Sequence, residues 1–275
     1  MLKNITLILL LSISAVNTAF SQPKKINYGH NDSVGRFYDV RGIKMYTEAY
    51  GTGKPLLMIH GNGGNMGAFG NTIPYFAQKY MVIAVDSRAH GRTVDDRDSL
   101  SFEMMADDFD ALLTAMHIDS AYVLGWSDGG INALVLAMRH PGKVIKLAST
   151  GANLVPDSTG LIPSYWKSER KDFANWQKRM PLTDAKSRNT YKVFMLDWVQ
   201  PNIPFSALKA IKCPSLIIGG DHDLIPVQHT VAIAQAISKS YLWIVPNSGH
   251  GTLVEHRDEF NKIVDEFFEK PFKKK

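Results

Sequence analysis

Residues 125–129 read Gly-Trp-Ser-Asp-Gly, which places a serine between two glycines at the junction of two apolar segments. Residues 121–124 before them are typical of a buried strand, and residues 130–138 after them are typical of a helix. A serine at such a corner presents its hydroxyl at the helix N-terminus, where backbone amides favour developing negative charge. The glycines make so sharp a turn sterically possible. We therefore predict that Ser127 is a nucleophile.

A serine hydroxyl needs a base to take its proton, and the base needs a carboxylate to orient it. His250 follows the last strand-like segment of the chain, and Asp223 follows the one before it. Because parallel strands end at one edge of a sheet, we expect these side chains to converge on Ser127. Asp221 competes for the role of the acid, but it directly follows two glycines and is better suited to capping a turn. We predict that Asp223 faces the crevice.

Attack on a carbonyl group also requires N–H donors for the oxyanion. Residues 60–64 (His-Gly-Asn-Gly-Gly) follow a strand-like segment, and their turn can direct the backbone amide of Asn62 inward. The backbone amide of Asp128 is the second predicted donor. The turn lacks the ending of a P-loop and the spacing of a dinucleotide fingerprint, which disfavours phosphate binding.

The elements that must position these groups alternate between strand-like and helical segments. This alternation predicts an α/β fold with a mostly parallel central sheet flanked by helices. Helical spacing of apolar residues is clearest over Ser101–His117 and Leu253–Glu269. The predicted strands are Lys44–Tyr50, Pro55–His60, Met81–Asp86, Ala121–Gly125, Val144–Thr150, Ser215–Gly219 and Tyr241–Val245.

Residues 151–205 break the alternation, because they contain several prolines and no strand-like block. We predict a helical cap insertion here, between two parts of one core formed by residues 22–150 and 206–275. Its place after the serine would set it over the carboxyl ends of the strands, where open α/β sheets bind ligands.

Three aromatic residues of the cap, Trp166, Phe173 and Trp176, share one side of a helical pattern. We predict that Trp166 and Trp176, together with Trp126, contact the substrate. The alternative for each cap ring is that it only packs the cap onto the core.

Residues 1–21 have the pattern of a cleaved secretory signal. Lys3 precedes an apolar stretch over residues 5–16, and Ala19 and Ser21 supply small residues at a cleavage site. The stretch is too short for a bilayer of about 30 Å. We expect a periplasmic or secreted protein with no stable membrane anchor after cleavage.

The composition is that of an average globular protein, with 45% hydrophobic and 21% charged residues in 275, enough for one large α/β domain. The single cysteine, Cys213, excludes an internal disulfide and a Cys-based zinc site. A net charge of +5 is too mild to indicate a nucleic-acid partner. The sequence suggests no metal site.

The motifs together resemble those of the α/β-hydrolase superfamily over nearly the whole chain after residue 21. Ser127, Asp223 and His250 have the chain order of its triad. The resemblance implies a cofactor-free serine hydrolase that cleaves small carboxylic esters through an acyl-enzyme. The matching segments are residues 60–64, 86–93, 125–130, 220–223 and 248–250. Ala89 departs from the superfamily, which commonly has glycine there.

Residues 125–130, 151–153 and 258–262 are similar to the biphenyl-hydrolase-like, or valacyclovirase, branch. Some members of that branch cleave α-amino-acid esters. The resemblance implies that the side chain of Asp128 recognises a substrate ammonium group. The alternative is that Asp128 caps the following helix.

Basic residues in the cap argue mildly against a strongly cationic substrate. They are equally consistent with a solvated outer face. These residues include Lys167, Arg170, Lys171, Lys178 and Arg179.

Other chemistry on the same residues remains open at this point. One fold hosts many reactions, so hydrolysis of an amide, a lactone or a carbon–carbon bond, and perhydrolysis, are alternatives to ester hydrolysis. A non-catalytic receptor on the same fold is a further alternative. A receptor has no physical need for a serine, an acid and a histidine in this order, so an enzyme is favoured.

Overall fold

The computed structural model describes residues 26–273. These residues form one eight-stranded sheet with helices on both faces, which confirms the predicted α/β fold. The strands are β1 (Gly35–Val40), β2 (Ile43–Tyr50), β3 (Lys54–Ile59), β4 (Tyr80–Val85), β5 (Ala121–Trp126), β6 (Val144–Thr150), β7 (Ser215–Gly220) and β8 (Ser240–Val245). The α-helices are α1 (Ile73–Phe76), α2 (Phe102–Ala115), α3 (Asp128–Arg139), α4 (Pro163–Gln177), α5 (Ala185–Val199), α6 (Val227–Ala236), α7 (Thr252–Glu255) and α8 (Arg257–Glu269).

The sheet has the strand order β1-β2-β4-β3-β5-β6-β7-β8. Strands β3 to β8 run parallel to one another, whereas β2 is antiparallel to both β1 and β4. The central strands are almost wholly buried because helices cover both faces of the sheet, and this explains their continuous apolar sequences.

Strand β1 was not predicted from the sequence. Most of its residues are partly or fully exposed and only Val40 is buried, so no apolar block marks it. A tight turn through Arg41 and Gly42, both with positive φ, returns the chain into β2. The pairing of β1 with β2 is therefore set by the turn and by the ladder of backbone hydrogen bonds.

The two predicted helical patterns correspond to helices, with one difference. Ser101 caps α2 by accepting a hydrogen bond from the Met104 amide. The pattern predicted as one helix over Leu253–Glu269 is divided into α7 and α8 at His256, whose backbone is not helical (φ −120°, ψ 40°). Apolar spacing carries across this break, so periodicity alone did not reveal it.

Residues 151–205 contain α4 and α5 and no strand, and they lie between β6 and β7 in the chain. The ring of Trp198 on α5 stacks against Trp166 and Phe173 of α4, with centroid distances of 5.0 and 4.7 Å. The aromatic residues of α4 therefore join the two cap helices to each other, a contact that the spacing within α4 did not indicate.

A buried network of charges fixes α5 to the core. Lys192 Nζ donates to Asp95 Oδ2 at 2.9 Å and to the backbone oxygen of Arg97 at 2.7 Å. Arg88 donates to Asp95 at 2.8 Å and, through two nitrogens, to Asp108 of α2 at 2.6 and 2.8 Å. Buried charges are stable only when they are paired, so the network defines where α5 sits against the loop after β4.

Within residues 26–273, no helix has the length and apolar character needed to cross a membrane. The predicted signal segment, residues 1–21, lies outside the described residues.

The crossing of α3 over β3 yields a test of packing. A Cβ atom on Gly129 would lie 1.8 Å from the carbonyl oxygen of Ile59, whereas a Cβ atom on Gly142 would meet nothing within 4 Å. Backbone atoms cannot move away easily, so Gly129→Ala should lower the melting temperature by more than about 5 °C or prevent folding. Gly142→Ala is the matched control and should melt within about 1 °C of the wild type. Equal melting temperatures for both variants would contradict the close approach of α3 to β3.

Candidate active site

Ser127 lies at the turn between β5 and α3 in a strained backbone conformation, with φ 57° and ψ −122°. A positive φ is unfavourable for a residue with a side chain and persists only where neighbouring contacts enforce it. Here the Ser127 amide donates to the Thr150 carbonyl of β6 at 2.8 Å, and the Ser127 carbonyl accepts from the Ile131 amide of α3 at 3.0 Å. The hydroxyl is consequently held at the N-terminus of α3, as predicted.

The glycines around Ser127 are required by close backbone contacts. A Cβ atom on Gly125 would lie 2.0 Å from the carbonyl oxygen of Gly129. A Cβ atom on Gly61, in the turn after β3, would lie 2.9 Å from Ser127 Cβ. The turn after β3 therefore packs directly beside the serine.

The structure brings Ser127, His250 and Asp223 together although they lie on three different loops. His250 Nε2 is 2.9 Å from Ser127 Oγ, and His250 Nδ1 is 2.7 Å from Asp223 Oδ1. Asp223 is buried and also accepts a hydrogen bond from the Ile225 amide at 3.2 Å. Because a carboxylate only accepts, Nδ1 carries the proton and Nε2 presents its lone pair to the serine hydroxyl.

Asp221, the competing acid, does not contact His250. Its Oδ1 accepts a hydrogen bond from the Ser248 amide at 3.0 Å, and its side chain is 37% exposed. Asp221 thus joins the loop after β7 to the loop that carries the histidine. The indole of Trp126 adds a second constraint by donating to the His250 carbonyl at 2.8 Å.

The two amides predicted as oxyanion donors belong to Asn62, in the turn after β3, and to Asp128, the first residue of α3, and both residues line the same cavity as Ser127. Within residues 26–273, neither amide donates to another protein group. The side chain of Asn62 has a role that the sequence did not suggest. Its Nδ2 donates to Asp128 Oδ2 at 2.9 Å and to the Val193 carbonyl of α5 at 3.1 Å.

Two buried histidines support the turn after β3. His60 Nδ1 donates to the Gly61 carbonyl at 2.7 Å, and its Nε2 accepts from the Ser87 amide at 3.1 Å. His90 Nδ1 donates to the Arg88 carbonyl at 2.8 Å. Burial lowers the pKa of His60 to about 4, and burial together with the neighbouring His60 lowers the pKa of His90 to about 4. Both rings are neutral at neutral pH, as the hydrogen bonds of His60 require.

A cavity of about 720 Å³ opens above Ser127, between the core and the cap. All the predicted substrate-binding residues, Trp126, Asp128, Trp166 and Trp176, line it. Trp166 and Trp176 also contact Trp198 and Tyr191 of α5, so their ring contacts lie within the cap and differ from the predicted alternative of packing the cap onto the core.

Several residues that line the cavity were not predicted from the sequence to lie at the site. Four of them are acidic or can bond to acids: Tyr165, Glu169 and Asp172 on α4, and Asp197 on α5. The first three have helical spacing on the same face as Trp166 and Trp176, so the pattern that identified the rings could have found them. Asp197 had no comparable signal.

The cavity is acidic on the cap side. Burial, and then the neighbouring carboxylate of Asp128, raises the pKa of Asp197 well above its usual range. Burial also raises the pKa of Glu169. The basic residues Lys167, Arg170, Lys171 and Lys178 are exposed and do not line the cavity. Arg179 does line it and lies over the Trp176 ring, 4.1 Å from its centroid.

Within residues 26–273, no three His, Cys, Asp or Glu side chains are grouped so that they could hold a metal ion.

The buried histidines predict a pH dependence of stability. Between pH 6.5, the ordinary pKa of histidine, and about 4, an unfolded chain binds a proton at His90 that the folded chain excludes. The free energy of unfolding should therefore decrease as the pH falls through this window, by at most about 1.4 kcal/mol per pH unit for each histidine. His90→Asn retains a donor for the Arg88 carbonyl and should make this decrease shallower, measured by urea unfolding from about pH 7.5 to about pH 5.

His117→Asn is the matched control, because His117 is exposed and has a positive φ that asparagine accepts. It should keep the wild-type dependence. The same slope in wild type and His90→Asn would show that His90 does not exclude the proton.

Comparison with known proteins identifies the family to which this chain belongs. A model of the α/β-hydrolase fold family matches residues 54–193. The human protein Serine hydrolase BPHL is 29% identical over 250 residues, which are 84% of this chain and 84% of that protein. The 2-hydroxymuconate semialdehyde hydrolase of Pseudomonas sp. (strain CF600) is 28% identical, with 86% of this chain and 95% of that protein covered.

Among solved structures, that of Est816, described as an N-acyl homoserine lactone degrading enzyme, superposes with a TM-score of 0.68 at 26% identity. It covers 84% of this chain and 99% of its own. Together these matches confirm the resemblance to the α/β-hydrolase superfamily that was inferred from the motifs.

Proposed function

We propose that this chain, which belongs to the α/β-hydrolase family and is a hydrolytic enzyme, cleaves small carboxylic esters through an acyl-enzyme on Ser127. The observation that carries the proposal is the continuous chain of hydrogen-bond contacts from Ser127 through His250 to Asp223, at 2.9 and 2.7 Å. Each contact is within the range expected for a nucleophile, its base and the group that orients the base.

In this proposal the reaction proceeds in two stages. Ser127 Oγ attacks the ester carbonyl while His250 Nε2 accepts its proton, and Asp223 stabilises the imidazolium that forms. The amides of Asn62 and Asp128 donate to the oxyanion. His250 then protonates the departing alcohol, and a water molecule activated by His250 hydrolyses the acyl-enzyme.

The acidic lining supports a substrate with an ammonium group, such as an α-amino-acid ester. Asp128 directly follows the nucleophile, and its carboxylate is buried beside the cavity. A partly buried carboxylate gains strongly from a cationic partner. The alternative role as a helix cap is weakened because the Asp128 carboxylate is bonded to the Asn62 side chain.

Hydrolysis of a carbon–carbon bond is the second candidate, because one relative is named for 2-hydroxymuconate semialdehyde. A muconate carries a carboxylate, which would meet Asp128, Glu169 and Asp197 in this cavity. Like charges in a partly desolvated site repel one another, so the lining favours the amino ester over this substrate. Product analysis after incubation with each substrate separates the two reactions.

The roles within the triad predict distinct mutational effects. Ser127→Ala and His250→Ala should lower kcat for a p-nitrophenyl ester by at least about 10⁴-fold. Asp223→Asn should lower it by about 10³-fold or more because the asparagine cannot stabilise the imidazolium. Asp221→Asn is the matched control and should retain most of the activity.

Labelling with a fluorophosphonate adds a readout that does not depend on substrate choice. The wild type should be labelled at one site per chain, and Ser127→Ala should not be labelled. Loss of activity in Asp221→Asn with retention in Asp223→Asn would reverse the assignment of the acid.

Recognition of ammonium by Asp128 is tested with a panel of p-nitrophenyl esters of varied chain length beside α-amino-acid esters. Asp128→Ala should reduce kcat/KM for the amino esters by about tenfold to a hundredfold, the effect of one lost charge-assisted hydrogen bond. Simple esters should change by less than about threefold. An equal decline for both classes would instead favour the structural role of Asp128.

A further inference from the structure

We propose that Asp197 of the cap is the second carboxylate of an ammonium subsite whose first carboxylate is Asp128 of the core. The cap and the core would then each supply one carboxylate to the site that selects the substrate. This inference rests on the function proposed above and specifies its substrate class: esters with a free ammonium group on the α-carbon.

The two carboxyl groups come from different parts of the protein, one from the core and one from the cap. Asp128 is the first residue of α3 and Asp197 lies near the end of α5, and their side chains are within hydrogen-bonding reach of each other. Both line the cavity that contains Ser127. An ester carbonyl bound at Ser127 and its oxyanion amides would have its α-substituent beside Asp128, because Asp128 follows Ser127 directly.

The position of Asp197 is set by contacts outside the carboxyl pair. The Asn62 side chain donates to Asp128 Oδ2 at 2.9 Å and to the Val193 carbonyl at 3.1 Å. Val193 precedes Asp197 by four residues in α5 and lies on the same helical face. The buried ion pair of Lys192 with Asp95 anchors the same turn of α5. The protein therefore holds Asp197 over Asp128 although the two carboxylates repel each other.

Two carboxylates in contact are stable only if a proton or a cation lies between them. Among residues 26–273, Arg179 is the only lysine or arginine that lines the cavity, and its guanidinium lies over the ring of Trp176. The group bonded to Asp128 is the neutral amide of Asn62. No side chain of the described region thus supplies a positive charge to the two carboxyl groups. Burial first, and the neighbouring Asp128 second, raises the pKa of Asp197.

An ammonium group fits this arrangement better than a metal ion. It has three N–H donors that can bond to separate carboxylates, whereas a bound divalent cation needs four or more ligands. Within the described residues no three ligand side chains are grouped for a metal. The Asn62 side chain directs its NH2 group toward Asp128, and an amide nitrogen that donates hydrogen bonds does not coordinate a metal ion.

The test compares an amino ester with the ester that lacks only the ammonium: valine benzyl ester against benzyl 3-methylbutanoate. Asp197→Asn should lower kcat/KM for valine benzyl ester by about tenfold to a hundredfold and should change the other ester by less than about threefold. Asp258→Asn, which removes an exposed carboxylate on α8, is the control and should affect neither ester.

The double variant Asp128→Asn/Asp197→Asn adds a readout that a structural role would not move. If both carboxylates bind one ammonium, the loss in the double variant should be smaller than the product of the two single losses. The subsite would be refuted if the loss in the double variant equalled the product of the two single losses. It would also be refuted if Asp197→Asn lowered kcat/KM equally for both esters. Neither outcome would contradict ester hydrolysis itself.

A binding measurement separates this inference from the proposed reaction. In a Ser127→Ala background, calorimetry should show that Asp197→Asn weakens binding of valinamide by about tenfold and leaves 3-methylbutanamide unchanged. If wild type hydrolyses neither ester, the proposed reaction fails, but the valinamide comparison still decides whether the subsite binds ammonium. Equal valinamide affinity with and without the Asp197 carboxylate would refute the subsite.

Discussion

The turn at Ser127 is the constraint on which the rest of the structure depends. The backbone there has a positive φ, which is held by two hydrogen bonds: the serine amide donates to a carbonyl of β6, and the serine carbonyl accepts from an amide of α3. Such strain is stable only if neighbouring elements approach closely, and the contacts at Gly61, Gly125 and Gly129 leave no room for side chains. The parallel sheet supplies this geometry by bringing β3, β5 and β6 together at one edge.

The other members of the site depend on the same edge. Asp223 and His250 follow β7 and β8, and these adjacent parallel strands end side by side. Asp221 and the indole of Trp126 add hydrogen bonds that hold the histidine loop against the rest of the site. The imidazole is therefore positioned by backbone contacts and not only by its own partners, which explains how three loops converge within hydrogen-bond distance.

In the cap, most basic side chains lie on the exposed side of the helices and acidic side chains lie on the side that faces the cavity. Apart from the buried Lys192, the cap's lysines and arginines are exposed, whereas Glu169 and Asp197 face the cavity together with Asp128 of the core. The overall charge of +5 therefore says little about the potential at Ser127. Local potential depends on which side chains share a desolvated space, and that space is defined by the seating of α5 through Lys192 and Asn62.

The sequence by itself determined the parts of the protein that depend on neighbouring residues. Apolar blocks identified seven of the eight strands, and the glycine-flanked serine located the turn, because strand burial and turn sterics are local properties. Strand β1 and the break at His256 were missed, since one has no apolar block and the other does not interrupt the apolar spacing. Only the tertiary structure decided the contact of Asp223 with His250, the brace formed by the Asn62 side chain and the meeting of Asp197 with Asp128. These contacts join residues far apart in the chain, and their distances follow from how the cap packs on the sheet, which no local pattern encodes.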